Sequence, residues 1–151
     1  MRQLILIFLF LPFFVNAENI TYNLLEVNGA KAYFEKSKGQ MEKVMYKVDP
    51  ELKLYEDLVK EWESTYFSWE RIRESLAPIY TKRFSEQELQ EIIDFYIDGK
   101  KETFFTSRAG KKFKSLLPEI NQEFTLSGHK HMSKVKPFLY EMIENFNQSK
   151  Q

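Results

Sequence analysis

The chain contains no cysteine, and glycine, proline and histidine are scarce: its 151 residues include five glycines, five prolines and two histidines. Without cysteine no disulfide can hold the fold, and the cysteine that bacterial lipoproteins carry after their signal as an acylation site is missing as well. Few glycines and prolines leave few turn signals, while stretches rich in Glu, Lys, Gln and Leu favour helices. No run alternates apolar and polar residues for long enough to predict a strand. The sequence therefore predicts an all-α protein stabilised by helix packing.

An excess of charge of one sign is also missing, because 22 Lys and Arg face 22 Asp and Glu. Double-stranded nucleic acids are bound by basic surfaces, so this balance argues against a nucleic-acid partner. The two histidines, His129 and His131, would point about 200° apart on a helix and form no obvious catalytic pair. No metal-ligand or phosphate-loop motif accompanies them. We therefore expect no metal site and no cofactor.

The first 17 residues have the composition of a cleaved signal peptide. Arg2 precedes an apolar run over residues 4–15, and Val15-Asn16-Ala17 gives the small-x-small pattern of a signal peptidase site. The run is shorter than the about 20 residues that cross a bilayer, so we expect no transmembrane span in the mature chain; an uncleaved anchor is the alternative. The mature protein is then expected in a bacterial periplasm, with secretion from the cell as a second destination.

The chain beyond the signal has the size of one ordinary domain. We expect residues 18–146 to form a single helical-bundle-like domain of five to seven helices. Residues 147–151 are polar and are expected to be a frayed tail.

Two long helices are indicated by apolar spacing. Large rings and aliphatic side chains recur every three or four positions over residues 55–76, which predicts one helix that ends before Pro78. The segment 118–146 is also expected to be helical, with a bend or break between Gly128 and Pro137.

The clearest helix start lies at Ser85. Ser85 and Glu88 have the spacing of a capping box, and Phe84 and Leu89 the spacing of a hydrophobic staple. Ser107 is expected to cap a later helix.

Several short motifs extend over the middle of the chain: Tyr80, Phe84-Ser85, Glu88-Leu89, Ile92-Ile93, Phe95-Tyr96 and Ser107-Arg108-Ala109-Gly110-Lys111. Leu24-Leu25-Glu26-Val27-Asn28-Gly29 precedes them. Together they resemble the bacterial family called domain of unknown function 2059. The resemblance implies an all-helical exported fold and brings no catalytic residue. In the family a Ser-Pro turn follows Phe-Tyr almost directly, whereas here residues 97–105 intervene and Arg108 replaces Pro. Alternatively, Phe104-Phe105-Thr106-Ser107 occupies the Phe-Tyr-x-Ser place.

Residues 99–116 are basic in an otherwise balanced chain, with Glu102 as their one acid. The basic side chains are Lys100, Lys101, Arg108, Lys111, Lys112 and Lys114. Beside the helix start at Ser107, whose free N–H groups favour anions, they form a candidate site for an anionic headgroup or an acidic partner. The alternative, which the pattern favours, is a solvated face.

Three rings are candidates for exposed aromatic side chains. Phe67 lies off the apolar stripe of residues 55–76, and Phe104 and Phe105 belong to the inserted segment. An exposed ring of this kind, or a groove between helices, would receive a partner helix or an apolar ligand.

Acidic pairs raise the question of an enzyme; they are Glu61 with Glu63, Glu86 with Glu88, and Glu141 with Glu144. A glycosidase needs two carboxyls across a cleft with one held protonated, whereas these pairs have the spacing of ordinary polar faces. The sequence therefore favours a non-enzymatic soluble periplasmic binding or protein-interaction module, whose partner is an envelope protein or an anionic headgroup. The alternatives are an envelope hydrolase built from scattered carboxylates, or a structural subunit of an envelope complex.

Overall fold

The computed structural model describes residues 13–99 and 101–150. Over that range the chain forms eight α-helices and one 3-10 helix and no strand, which confirms the all-α prediction with more helices than the five to seven expected. The elements are α1 (Phe13–Val27), α2 (Ala30–Ser37), α3 (Gln40–Val48), the 3-10 helix (Pro50–Tyr55), α4 (Glu56–Tyr66), α5 (Trp69–Thr81), α6 (Glu86–Asp98), α7 (Lys101–Thr106) and α8 (Arg108–Gln148). Of the predicted signal peptide, residues 1–12 lie outside the described part of the chain.

Helix α8 organises the molecule. It has 41 residues, which at 1.5 Å per residue is about 60 Å, and it contacts α4, α5, α6 and α7. Its first half supplies Phe113 and Ile120 to a cluster that is built mainly on α1, α5 and α6. Its second half supplies Val135 and Leu139 to a separate cluster built on α3, the 3-10 helix and α4. One long helix therefore joins two hydrophobic clusters.

The predicted break between Gly128 and Pro137 does not occur, because α8 is continuous through both residues. A proline inside a helix removes one backbone hydrogen bond and costs about 3 kcal/mol. Val135 and Leu139, on either side of Pro137, are both buried against the second cluster. The packing of these two side chains offsets the free energy that Pro137 costs the helix.

Part of the segment predicted as a frayed tail is helical. Asn147 and Gln148 belong to α8, and Ser149 is its C-cap. The side-chain amide of Asn147 donates to the hydroxyl of Tyr55 at 3.1 Å. This contact with the 3-10 helix holds the last turn in place.

The single helix predicted over residues 55–76 is two helices. The backbone dihedral angles of Phe67 and Ser68 are not helical. The Ser68 hydroxyl caps α5 by accepting from the backbone N–H of Arg71 at 3.4 Å. Trp62 on α4 belongs to the second cluster and Trp69 on α5 to the first. The stripe is divided because its two halves are buried in different places.

Helix α5 also continues beyond its predicted end. Pro78 lies inside it, and the helix ends at Thr81. Pro78 has no N–H to donate to the carbonyl of Glu74. Because Glu74 is exposed, a water molecule can donate to that carbonyl instead.

The inserted segment after α6 folds as a short helix. Gly99 ends α6 in the left-handed conformation, with φ 68°, and α7 comes next. Ser107 then caps α8 by accepting from the backbone N–H of Gly110 at 3.0 Å. At the start of α6, Ser85 Oγ accepts from the N–H of Glu88 at 3.2 Å while Glu88 Oε2 accepts from the N–H of Ser85 at 2.9 Å.

Candidate functional site

A cleft of about 440 Å³ opens between the α1–α2 turn, α5 and α8. Six aromatic side chains line it, and we call it the aromatic cleft: they are Tyr33, Phe34, Trp69, Tyr80, Tyr96 and Phe124. Its polar side chains are Asn28, Ser37, Ser75 and Asn121, in addition to the tyrosine hydroxyls. Among the described residues that line it, none carries a charge. A charged group placed there would lose water without gaining a counter-charge.

Helix α2 forms one wall of the aromatic cleft. Its lining residues are Ala30, Tyr33, Phe34 and Ser37, which share one face at helical spacing. Gly29 and Gly39 flank the helix in the left-handed conformation, with φ 88° and 74°. No residue of α2 is buried, and Tyr33 is 77 % exposed. The cleft is thus bounded on one side by a helix that lies on the surface.

Asn28 and Tyr80 form a polar pair in the wall of the cleft. The Asn28 side-chain oxygen accepts from the backbone N–H of Ala30 at 2.9 Å, at the first turn of α2. Its amide nitrogen donates to the hydroxyl of Tyr80 at 3.1 Å. Burial raises the pKa of the Tyr80 hydroxyl well above its usual range.

Trp69 is a buried ring in the wall of the cleft, with 4 % of its area exposed. Its ring lies 5.8 Å from that of Phe34 on α2, centroid to centroid. Its indole N–H has no acceptor among the described residues, whereas the indole N–H of Trp62 donates to the carbonyl of Val135 at 2.8 Å. A buried donor without a partner costs about 1–3 kcal/mol. Trp69 therefore keeps unused hydrogen-bonding capacity.

The predicted basic site is interrupted by acidic side chains of α6. Lys112 Nζ lies 2.6 Å from Glu88 Oε2 and 5.1 Å from the ring centre of Phe84. The hydrogen bond from Lys112, and then that from the backbone N–H of Ser85, lower the pKa of Glu88.

The other described cations of the predicted basic site lie in the first turns of α8. Arg108 shares a surface depression with Glu88 and Glu91, and Lys111 and Lys114 are exposed. Lys100 and the side chain of Lys101 lie outside the described part of the chain. Glu88 and Glu91 thus lie beside the described residues of the basic segment 99–116.

The three predicted exposed aromatics are not free rings. Phe104 is buried with 7 % exposure, and Phe105 is half-buried against the same cluster, with both rings close to Phe95. Phe67 is half-buried between Trp62 and His131, at 5.1 and 5.0 Å between ring centres. The exposure prediction is wrong because the inserted segment is a helix packed on α6, and because Phe67 fills the space at the end of α4.

His131 and Glu63 have structural roles. His131 Nε2 lies 2.7 Å from the carbonyl oxygen of Tyr66, so that nitrogen carries the hydrogen and satisfies the end of α4. Glu63 accepts from the backbone N–H groups of Gly39 and Glu42, at 2.8 and 3.1 Å, at the start of α3. In the described residues no group of three or more His, Asp or Glu side chains is arranged to hold a metal ion.

The carboxyl groups whose pKa is shifted are all shifted in one direction. Lys60 lowers the pKa of Glu56, and Arg83 lowers that of Glu123. The pKa values of Glu70 and Glu88 are lowered as well. A general acid at a hydrolase site needs the opposite shift, so these groups do not provide one.

Sequence reasoning missed the aromatic cleft, although parts of it were visible. Tyr80 and the segment ending at Asn28 and Gly29 belong to the family-like motifs, yet nothing in their spacing shows that they meet.

No described helix is both long and apolar enough to cross a membrane. No curated protein and no solved structure matches the chain. Residues 70–97, which cover most of α5 and α6, match the model of a bacterial family described as an uncharacterized protein conserved in bacteria, domain of unknown function 2059, and this confirms the resemblance over that segment.

Proposed function

We propose that the protein is a non-enzymatic binding module that holds an uncharged, largely apolar small molecule in the aromatic cleft. The observation that carries this proposal is the lining: six rings, four polar side chains and no charge around about 440 Å³. Small-molecule sites are commonly apolar clefts of about 300–1,000 Å³ with a few placed polar groups. The aromatic cleft fits that description in size and in composition.

The envelope-hydrolase alternative has less support. Neither Asp nor Glu is among the described side chains that line the aromatic cleft. The shifted carboxyl groups lie elsewhere and favour their ionised forms. Hydrolysis of a glycosidic bond would require one carboxyl in the site to remain protonated.

Binding can be tested by filling the cleft from Gly128. This residue lines the cleft, and a Cβ added to it would have no atom within 4 Å. We expect Gly128→Phe to weaken binding of the neutral fluorophore N-phenyl-1-naphthylamine by about tenfold or more, because the ring occupies space that the probe needs. The measurement is a fluorescence titration, and Gly128→Ala is the matched control that leaves the space open. Equal binding by both variants, or no binding by the unmodified protein, would contradict the proposal.

We further propose that the protein works in the periplasm of a bacterium. The apolar run over residues 4–15 and the small-x-small pattern before Glu18 support export and cleavage. The intact mass of protein isolated from the periplasmic fraction is expected to correspond to a chain that begins at Glu18. A retained Met1 in that fraction, or recovery only from the cytoplasm, would refute this compartment.

A further inference from the structure

We infer that the aromatic cleft selects a neutral ring compound that carries a hydrogen-bond acceptor oxygen, and that the hydroxyl of Tyr80 donates to this oxygen. The inference rests on the proposed binding function and adds the chemical class of the ligand. Its basis is the orientation of one amide, the side chains that surround it and the absence of charge among the described lining residues.

The orientation of the Asn28 amide is fixed by the backbone. Its oxygen accepts from the N–H of Ala30, so the atom that faces Tyr80 is the amide nitrogen, which only donates. The Tyr80 oxygen is therefore the acceptor in that contact. The hydroxyl hydrogen of Tyr80 is not used in that contact, and no acceptor for it is present among the described residues.

Tyr80 is consequently a donor held in place without an acceptor. Its ring is buried and packs between Phe84 and Phe124, at 6.3 and 5.9 Å between ring centres. The hydroxyl is protonated over the whole neutral range, as an ordinary tyrosine is, and burial raises its pKa further. Asn28 restrains the oxygen from the other side. A donor that is already oriented loses little freedom when an acceptor arrives.

The surroundings of this donor restrict what can bring the acceptor. A carboxylate or phosphate would accept from Tyr80, but no Lys, Arg or His is among the described residues that line the cleft. Burying such an anion without a counter-charge is unfavourable. Carbonyl, ether and hydroxyl oxygens avoid that cost. Phe34, Trp69 and Phe124 add ring faces and edges, which favour a cyclic, planar skeleton over an extended chain.

The test compares two probes that differ by one oxygen. 1-Tetralone carries a ring carbonyl, and tetralin has the same skeleton without it. The full chain is labelled with 5-fluorotryptophan, which gives one ¹⁹F resonance for Trp69 in the cleft and one for Trp62 in the other cluster. Titration of the Trp69 resonance reports binding, and Trp62 serves as the internal reference. We expect 1-tetralone to bind about fivefold to tenfold more tightly than tetralin, the value of one hydrogen bond.

Tyr80→Phe is expected to abolish this preference while retaining the ring. Tyr140→Phe is the matched control, because it removes a hydroxyl from a ring outside the cleft, where that hydroxyl donates to Asp49 at 3.0 Å; it should keep the preference. A second measurement needs no variant: infrared spectroscopy of bound 1-tetralone should show the carbonyl stretch at lower frequency than in hexane, as expected for a hydrogen-bonded carbonyl.

The outcomes separate the two proposals. If both probes move the Trp69 resonance equally in the unmodified protein and the carbonyl stretch is unshifted, the ligand class is wrong and binding in the cleft stands. If neither probe moves the Trp69 resonance, the proposed function and this inference both fail. If the charged analogue 1,2,3,4-tetrahydro-1-naphthoate binds more tightly than 1-tetralone, the requirement for a neutral ligand is refuted.

Discussion

Gly110 shows how closely one residue can be constrained by a backbone contact. A Cβ at this position would lie 2.0 Å from the carbonyl oxygen and 2.6 Å from the carbonyl carbon of Phe104, and 3.0 Å from the Cα of Phe105. All three atoms belong to the main chain of α7, so no side-chain rotation relieves the clash. The absence of a side chain at Gly110 allows α7 to lie against the first turn of α8.

We expect Gly110→Ala to destabilise the protein by about 2–3 kcal/mol, because the clash forces α7 away from α8. The substitution would otherwise stabilise a helix by about 1 kcal/mol. Gly128→Ala is the matched control in the same helix, since nothing lies within 4 Å of its Cβ, and it should gain about 1 kcal/mol. Urea unfolding of the two variants measures both values. A Gly110→Ala protein as stable as the unmodified one would show that the close approach is absent.

At the scale of the element, the start of α6 is tied to α8 through Glu88. The carboxylate accepts from the backbone N–H of Ser85 and from Lys112 on α8, and both bonds lower its pKa. A carboxyl whose pKa is lower in the folded than in the unfolded state contributes stability above the unfolded value. That contribution is lost as the pH falls from the ordinary value of 4.5 through the lowered one.

We expect Glu88→Gln to lose about 1 kcal/mol at pH 7, because the amide still caps Ser85 but cannot pair with Lys112. The difference from the unmodified protein should shrink as the pH falls below 4.5, where the unmodified Glu88 also loses its charge. Glu86→Gln, in the same helical turn, is the control and should show no such convergence. The free energy of unfolding in urea, measured from pH 7 to pH 3, gives the comparison; a pH-independent difference would exclude the ion pair as its source.

The elements also show what local sequence can and cannot predict. The cap at Ser85 depends on residues within one turn, so their spacing was sufficient to place the start of α6. The division between α4 and α5 was not predictable, because ring spacing continues across Phe67 and Ser68. Its cause is the burial of Trp62 and Trp69 in different clusters, and the end of α4 is satisfied from far along the chain, where His131 donates to the carbonyl of Tyr66 across 65 positions.

At the scale of the whole molecule, the aromatic cleft depends on contacts that no local pattern records. Asn28 and Tyr80 are 52 positions apart, and the cleft also needs residues of α2 and α8. Composition predicted an all-α protein with little support for catalysis, and motifs along the chain predicted a resemblance to a family whose model matches residues 70–97. The basic segment looked like the strongest candidate site because acids of α6 that face it are distant in sequence. Opposite charges 24 positions apart, at Glu88 and Lys112, were invisible until the helices were placed.

The exposed position of α2 has a consequence for how a molecule would enter the aromatic cleft. No residue of α2 is fully buried, although Ala30 and Phe34 pack against the first cluster, so separating this helix from α5 uncovers only part of that cluster and none of the second. The left-handed glycines at 29 and 39 give the backbone a change of direction at each end. Local opening of α2 therefore costs less free energy than global unfolding. If the cleft holds a small molecule as proposed, we expect its exchange to depend on the opening of α2 and not on unfolding of the whole chain.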